Sequence, residues 1–433
     1  MAMDGKELVE KLAKLSQVQS IKDIPQLTHA LFPGRHCPLM GAAMAVGGIK
    51  DSLIVVVGTD ECTYYTKSMT IHSEKFGGID GRCVSVVLDD HDVTFGSAEK
   101  VQEAFKEIIE EYRPQCVFLV TTCVIEIIGD DFDAISEGLS ELYGIPVLPV
   151  HTEHFKCEDH LPGLERTITV CAEMMKSCDC DNSVNLLGQR MGDFATTELY
   201  AMLQKAGVKI GLQLPCGCSV DDIKNAAAAK VNIVVNDIAL PLAQKMQEKF
   251  GIPYVYFNKF VIPEKIYEAY KNLFGYLELE LPGELEGLYQ NAREKIEKNK
   301  GELEGITYIY GNTPYAVFEM NCFLSSLGMV PQVIQTNRYT EADEPYAKEI
   351  LQYTDPYVCK AANIAPLQYV YDVLSPYLYL GHEFGNRLRQ KGIAIVHSDR
   401  ASGMLGFEVT GYLLQQLVKS VREAKEYRKE LGL

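Results

Sequence analysis

An excess of positive charge is missing from this chain of 433 residues: 59 acidic residues stand against 41 basic ones, for a formal net charge of -18. Without a surplus of Lys and Arg to neutralise phosphates, the chain does not read as a nucleic-acid binder. The same deficit argues against binding an anionic membrane surface. No run of 18 consecutive apolar residues occurs, so no transmembrane span is expected. The first residues, MAMDGKELVEKLAKL, form a charged amphipathic segment rather than a secretory leader, and a cytoplasmic location is expected. A dense disulfide framework is also missing: 13 cysteines are spread through a long chain. In a reducing compartment such thiols are packing residues or metal ligands.

Continuous apolar runs alternate with amphipathic helical segments. DSLIVVVGTDEC (51–62), RCVSVVLDD (82–90), QCVFLVTTC (115–123) and IPVLPVHTE (145–153) read as strands, with helices over 97–114 and 130–144 between them. The rhythm restarts after CDCDNSVNLLGQR (178–190), with strands at 208–215, 231–236 and 252–258 and helices at 196–207, 219–230, 238–251 and 263–277. A charged run (284–305) leads to strands at 306–312, 329–337, 375–381 and 392–399. Apolar strands alternating with helices predict an α/β fold: parallel sheets covered by helices on both faces. The expected organisation is an N-terminal arm (1–30), three α/β units (31–180, 185–295 and 303–405) and C-terminal helices (406–433).

Ligands of open α/β sheets sit beyond the carboxyl ends of the strands. Cys62, Cys123, Cys216, Cys218 and His397 all follow strands, and Cys37 lies in the loop GRHCPLMGAAMA. Cys116, at a strand start, and Cys322, inside a helix, read as packing. Intervals of 25 and 61 residues between Cys37, Cys62 and Cys123 match no compact zinc or ferredoxin signature, so spacing leaves open whether they share a metal. The C-x-C pairs Cys178/Cys180 and Cys216/Cys218 are equally open. His72, His91, His151 and His154 are candidates for proton handling, because imidazole titrates near neutrality. Glu126 and Asp130, close behind Cys123, could tune a cluster's potential or serve docking.

The segments HCPLMGAA, GTDECTYYTK and TTCVIEIIGDD resemble, in order and spacing, the three cysteine segments of the nitrogenase component 1 family, and VNIVVNDIALPLAQKMQEKFGIPYVYFN resembles its second domain. The resemblance implies three Rossmann-like domains and pairing with an identical or paralogous component 1 subunit. It also implies electrons from a separate ATP-dependent iron–sulfur reductase, relayed by an iron–sulfur cluster at the subunit interface, with Cys37, Cys62 and Cys123 as its ligands. A second, complex metallocluster or a tetrapyrrole would occupy a deeper site. There IVHSDRASGMLGFE aligns His397 with the cofactor histidine of the catalytic subunits and makes it the candidate catalytic residue. Asn236 stands where those subunits carry a cysteine, and GNTPYAV (311–317) replaces their Gly-Gly-Leu-Arg segment. Dinitrogen reduction is therefore not expected, and Cys216 or Cys218 is the candidate substitute thiolate. The expected function is a catalytic-type subunit of a nitrogenase-like reductase, for instance one cleaving C–S bonds. The alternatives are a cofactor-assembly scaffold or a tetrapyrrole reductase; a non-enzymatic three-domain binding module is disfavoured by the cysteine triad.

Overall fold

The computed structural model describes residues 5–27, 36–71, 81–157, 159–190, 192–311, 313, 315–361 and 364–433. Three sheets of parallel strands, each covered by helices, follow one another along the chain. The first contains β1 (Ser52–Gly58), β2 (Cys83–Val87), β3 (Cys116–Thr121) and β4 (Val147–Val150), in the order β2-β1-β3-β4. The second contains β5 (Val184–Gln189), β6 (Ile210–Pro215), β7 (Val231–Val234) and β8 (Tyr254–Tyr256), in the order β6-β5-β7-β8. The third contains β9 (Thr307–Tyr310), β10 (Val330–Gln335), β11 (Tyr357–Cys359), β12 (Leu378–Leu380) and β13 (Ala394–Val396), in the order β11-β10-β9-β12-β13. Each sheet is doubly wound, so each has a point where the strand order reverses: β1/β3, β5/β7 and β9/β12. Crevices for ligands open at such points.

Strand alternation distributes the core. Leu53, Val55 and Val57 pack to one side of β1, while Ile54 and Val56 enter a core on its other side. That second core also takes Leu187, Leu212, Leu214 and Val234 from the second sheet, so the first two sheets share buried apolar surface. This is the physical content of the continuous apolar runs: both faces of each strand are covered. Cys116 is buried in that second core and Cys322 in the core of the third unit, as their positions suggested. Among the described residues no helix is long and apolar enough to cross a membrane.

Three local readings differ from the sequence expectation. The 178–190 segment, read as a connector, contains β5, a central strand. Its polar residues hid it: Asn185 is fully buried, and its Nδ2 donates to Asn232 Oδ1 (2.9 Å) on β7 and to Ala226 O (2.8 Å), while its Oδ1 accepts from Leu212 N. Pro241, read as internal to a helix, lies in the first turn of Leu240–Phe250, where its missing N–H costs nothing. The N-terminal arm does not stand free, because Ala13 and Lys14 pair antiparallel with Val358 and Tyr357, adding an edge to the third sheet.

Four helices frame the sites. α1 (Pro38–Gly47) and α2 (Asp60–Ile71) flank β1, and α3 (Cys123–Ile128) follows β3. α4 (Leu161–Val170) packs against α1 with glycine on both sides of the contact. A methyl group on Gly41 would lie 1.9 Å from His160 O, and one on Gly163 would lie 1.8 Å from Pro38 O.

Candidate thiol and basic sites at the strand ends

Cys37, Cys62 and Cys123 lie toward the carboxyl end of the first sheet, Cys62 following β1 and Cys123 following β3. Cys37 is the residue that precedes α1, with Pro38 setting the first turn. Cys62 lies in the first turn of α2 and accepts a hydrogen bond from Thr59 Oγ1 (3.5 Å). Cys123 opens α3. All three are half-buried and free. Burial raises the Cys123 thiol's pKa, and the neighbouring Cys62 and Cys37 sulfurs raise it further. A bound cation near Cys123 would oppose that shift. Thiols are the soft ligands an iron–sulfur cluster takes. Among the described residues, no three His, Cys, Asp or Glu side chains lie close enough to hold a metal ion by themselves.

The neighbouring acids act on the backbone. Glu126 Oε1 accepts from Thr121 Oγ1 (3.0 Å), Thr152 Oγ1 (2.9 Å) and Glu153 N, and its Oε2 accepts from His154 N (3.1 Å). Asp130 Oδ2 accepts from Ser97 N (2.7 Å) and Ser97 Oγ. Of the histidines singled out in the sequence, His151 pairs with Asp133 at the surface (3.1 Å), His91 packs on Phe95, and His72 lies outside the described residues.

The second sheet gathers a different set at its own strand ends. Cys216, after β6, donates to Arg190 O (3.1 Å); burial raises its pKa while the Arg190 guanidinium opposes the shift. Cys218 is 1% exposed, stands opposite Ile49 in a short parallel pairing, and is pushed up to about 12 by burial. Asn236, after β7, caps the next turn, its Oδ1 accepting from Ile238 N (3.2 Å). His397, after β13, is exposed in a cavity of about 130 Å³ with His382 and Asp399, whose side chains pair at 3.3 Å. Among the described residues no hydrogen bond or electrostatic interaction joins His397 to Cys216 or Asn236.

Arg190 and Lys259 were not singled out in the sequence. Arg190 follows β5 and is half-buried; burial lowers its pKa, while Cys216 and Asp159 oppose the shift. Lys259 follows β8, donates to Ser402 O, and is lowered to about 8, first by burial and then by Arg190. His160 is lowered to about 4, first by burial and then by Arg190. The available signal was a basic residue directly after a strand, but with β5 read as a connector Arg190 had no strand to follow.

Against known proteins, the family model described as nitrogenase component 1 type oxidoreductase matches residues 37–422. The nitrogenase iron-molybdenum cofactor biosynthesis protein NifE of Clostridium pasteurianum is 31% identical over 226 residues, which cover 51% of this chain and 49% of that protein. NifE of Rippkaea orientalis is 25% identical over 331 residues, covering 73% of this chain and 69% of that one. The nitrogenase molybdenum-iron protein alpha chain of Methanosarcina barkeri is 24% identical over 330 residues, covering 72% and 62%. The match thus spans about half the length of the clostridial relative. The solved structure of nitrogenase Cp1 at pH 6.5 superposes with a TM-score of 0.78 at 15% identity, over 93% of this chain and 95% of that one, a likeness of fold.

Proposed function

Because the chain belongs to the nitrogenase component 1 type oxidoreductase family, we propose that it is a scaffold-type subunit of a nitrogenase-like complex. In this reading Cys37, Cys62 and Cys123 hold an iron–sulfur cluster where the chain meets a second component 1 subunit, identical or paralogous. The space at the strand ends of the second sheet holds a metallocluster precursor. The observation that carries the choice of scaffold is Asn236. It stands at the strand end where the catalytic subunits have a cysteine, and its amide is spent capping a backbone turn. An amide is a poor ligand for a soft iron centre. A site without that thiolate suits a group that is built and passed on. The names of the two NifE relatives support the same choice.

A reductase that turns over substrate is the second reading, favoured by Cys216, whose thiol lies beside Arg190 and could replace the missing ligand. Reductive C–S cleavage, with electrons from an ATP-dependent iron–sulfur reductase, belongs to that reading. His397 would then be the inner histidine ligand.

Iron counting and EPR on anoxically purified protein test the thiol site. Cys62→Ala and Cys123→Ala are each expected to lose the cluster signal and most of the iron, and unchanged iron in both would refute the site. Reconstituted complex mixed with a metallocluster-free acceptor separates the two readings. A scaffold transfers its iron to the acceptor, whereas a catalytic subunit retains it and oxidises the reductase in the presence of substrate.

A further inference from the structure

Cys178 and Cys180 take no part in the sites at the strand ends. They lie in SCDCDN (177–182), the connection from the first unit to β5. Among the described residues, which include all 13 cysteines, these two alone are exposed; the others are buried or half-buried. Cys216 and Cys218 have the same spacing, but Cys218 is 1% exposed and belongs to the core. Spacing alone therefore does not make a ligand pair, and exposure of both thiols sets Cys178 and Cys180 apart.

The chain that carries them is extended and held at both ends. From Met175 to Asp181 it forms no helix, turn or bend, and none of these residues has a positive φ. Lys176 N donates to Lys224 O (2.9 Å), and Asp181 N donates to Ala228 O (2.8 Å). Asp181 also pairs with Lys209 (3.6 Å). In an extended run, side chains two residues apart leave the same side, with their Cα atoms about 6.6 Å apart. Cys178 and Cys180 thus share one face between the two anchors. Cys178 Sγ donates to Lys176 O (3.1 Å), and the Cys180 thiol has no hydrogen-bond partner among the described residues.

We propose that Cys178 and Cys180 together bind one thiophilic divalent cation of the zinc class in an open, exchangeable site. It is separate from the three cluster thiols and from the strand ends of the second sheet. Each thiol gives its proton to solvent as its sulfur bonds to the ion, so two protons leave per ion and no electron moves. Thiolates are soft ligands that suit such ions. Zn–S bonds of about 2.3 Å place two sulfurs of a tetrahedral site about 3.8 Å apart, within reach of two side chains on one face. The anchors fix the backbone before the ion arrives, which lowers the ordering cost of binding. No third His, Cys, Asp or Glu completes a metal-holding group among the described residues, so water or a ligand from another molecule fills the remaining positions. Structural zinc sites close with four protein ligands, whereas a site of two stays open to exchange.

Alkylation of the anoxically purified full chain by N-ethylmaleimide, followed thiol by thiol by peptide mass spectrometry, tests the site with and without Zn²⁺. Zn²⁺ should slow the modification of Cys178 and Cys180 together at least tenfold, and a chelator should restore it. Cys178→Ser should remove the protection of Cys180, and Cys180→Ser that of Cys178, because neither sulfur alone holds the ion. Equilibrium dialysis should show one zinc fewer per chain in each variant, at unchanged iron content and melting temperature. Alkylation unaffected by Zn²⁺, or a Cys180 still protected in Cys178→Ser, overturns the proposal. Iron content reports separately on Cys37, Cys62 and Cys123, so the failure of either site leaves the other standing.

Discussion

Glu126 receives four hydrogen bonds through its two carboxylate oxygens and joins the start of α3 to the turn after β4. Three residues after Cys123, it invites a redox or docking role, yet its acceptors are committed to Thr121, Thr152, Glu153 and His154. Bonds to a charged acceptor are among the stronger ones, and stranding their donors carries the full desolvation cost. Glu126→Ala should therefore destabilise the protein by about 1–3 kcal/mol, measured by chemical denaturation. A variant with an unchanged denaturation midpoint and a shifted cluster potential would return Glu126 to the electronic role. Cys218 makes a related point. Its C-x-C spacing suggests a ligand pair, but the two thiols part company: Cys216 faces Arg190, while Cys218 enters the apolar core shared by the first two sheets.

At the scale of elements, the contact between α1 and α4 decides where Cys37 lies. Gly41 and Gly163 let the two helices approach until each glycine meets the other helix's backbone. Backbone cannot rotate out of the way as a side chain can, so an added methyl group must separate the helices. Overpacking of this kind costs about 1–3 kcal/mol, and because Cys37 immediately precedes α1 the displacement reaches the thiol. Gly41→Ala is expected to lower the melting temperature and to reduce the iron retained, with Cys62 and Cys123 intact. A variant that melts lower and keeps all its iron would show that Cys37 does not depend on this packing. The alternation of strand and helix was legible element by element, because apolar runs buried on both faces have a distinctive composition. β5 was not, because Asn185 and Asn232 satisfy each other only once the two strands are side by side.

Across the whole molecule, the carboxyl end of the first sheet exposes large apolar side chains after every strand: Tyr64 (73% exposed) after β1, Phe95 (77%) after β2, Ile127 (72%) after β3 and Phe155 (69%) after β4. Tyr64 and Ile127 follow Cys62 and Cys123 closely in the chain. Exposed apolar patches of this kind mark interaction surfaces, and an iron–sulfur cluster with one face open to water is readily oxidised. The cluster-loaded protein is expected to sediment as a dimer or as a tetramer of two pairs. A monomer that keeps its full iron would refute pairing through this face. Tyr64→Lys with Ile127→Lys should shift the assembly toward monomer at unchanged fold.

The amino-acid order alone determined the class of architecture and the three cysteine segments, since periodicity, strand composition and local motifs are properties of neighbours in the chain. Which cysteine is core and which faces a charge, and that Asn185 and Asn232 satisfy each other across β5 and β7, were decided by the tertiary structure. These residues are separated by tens of positions and meet only once the strands of a parallel sheet lie side by side.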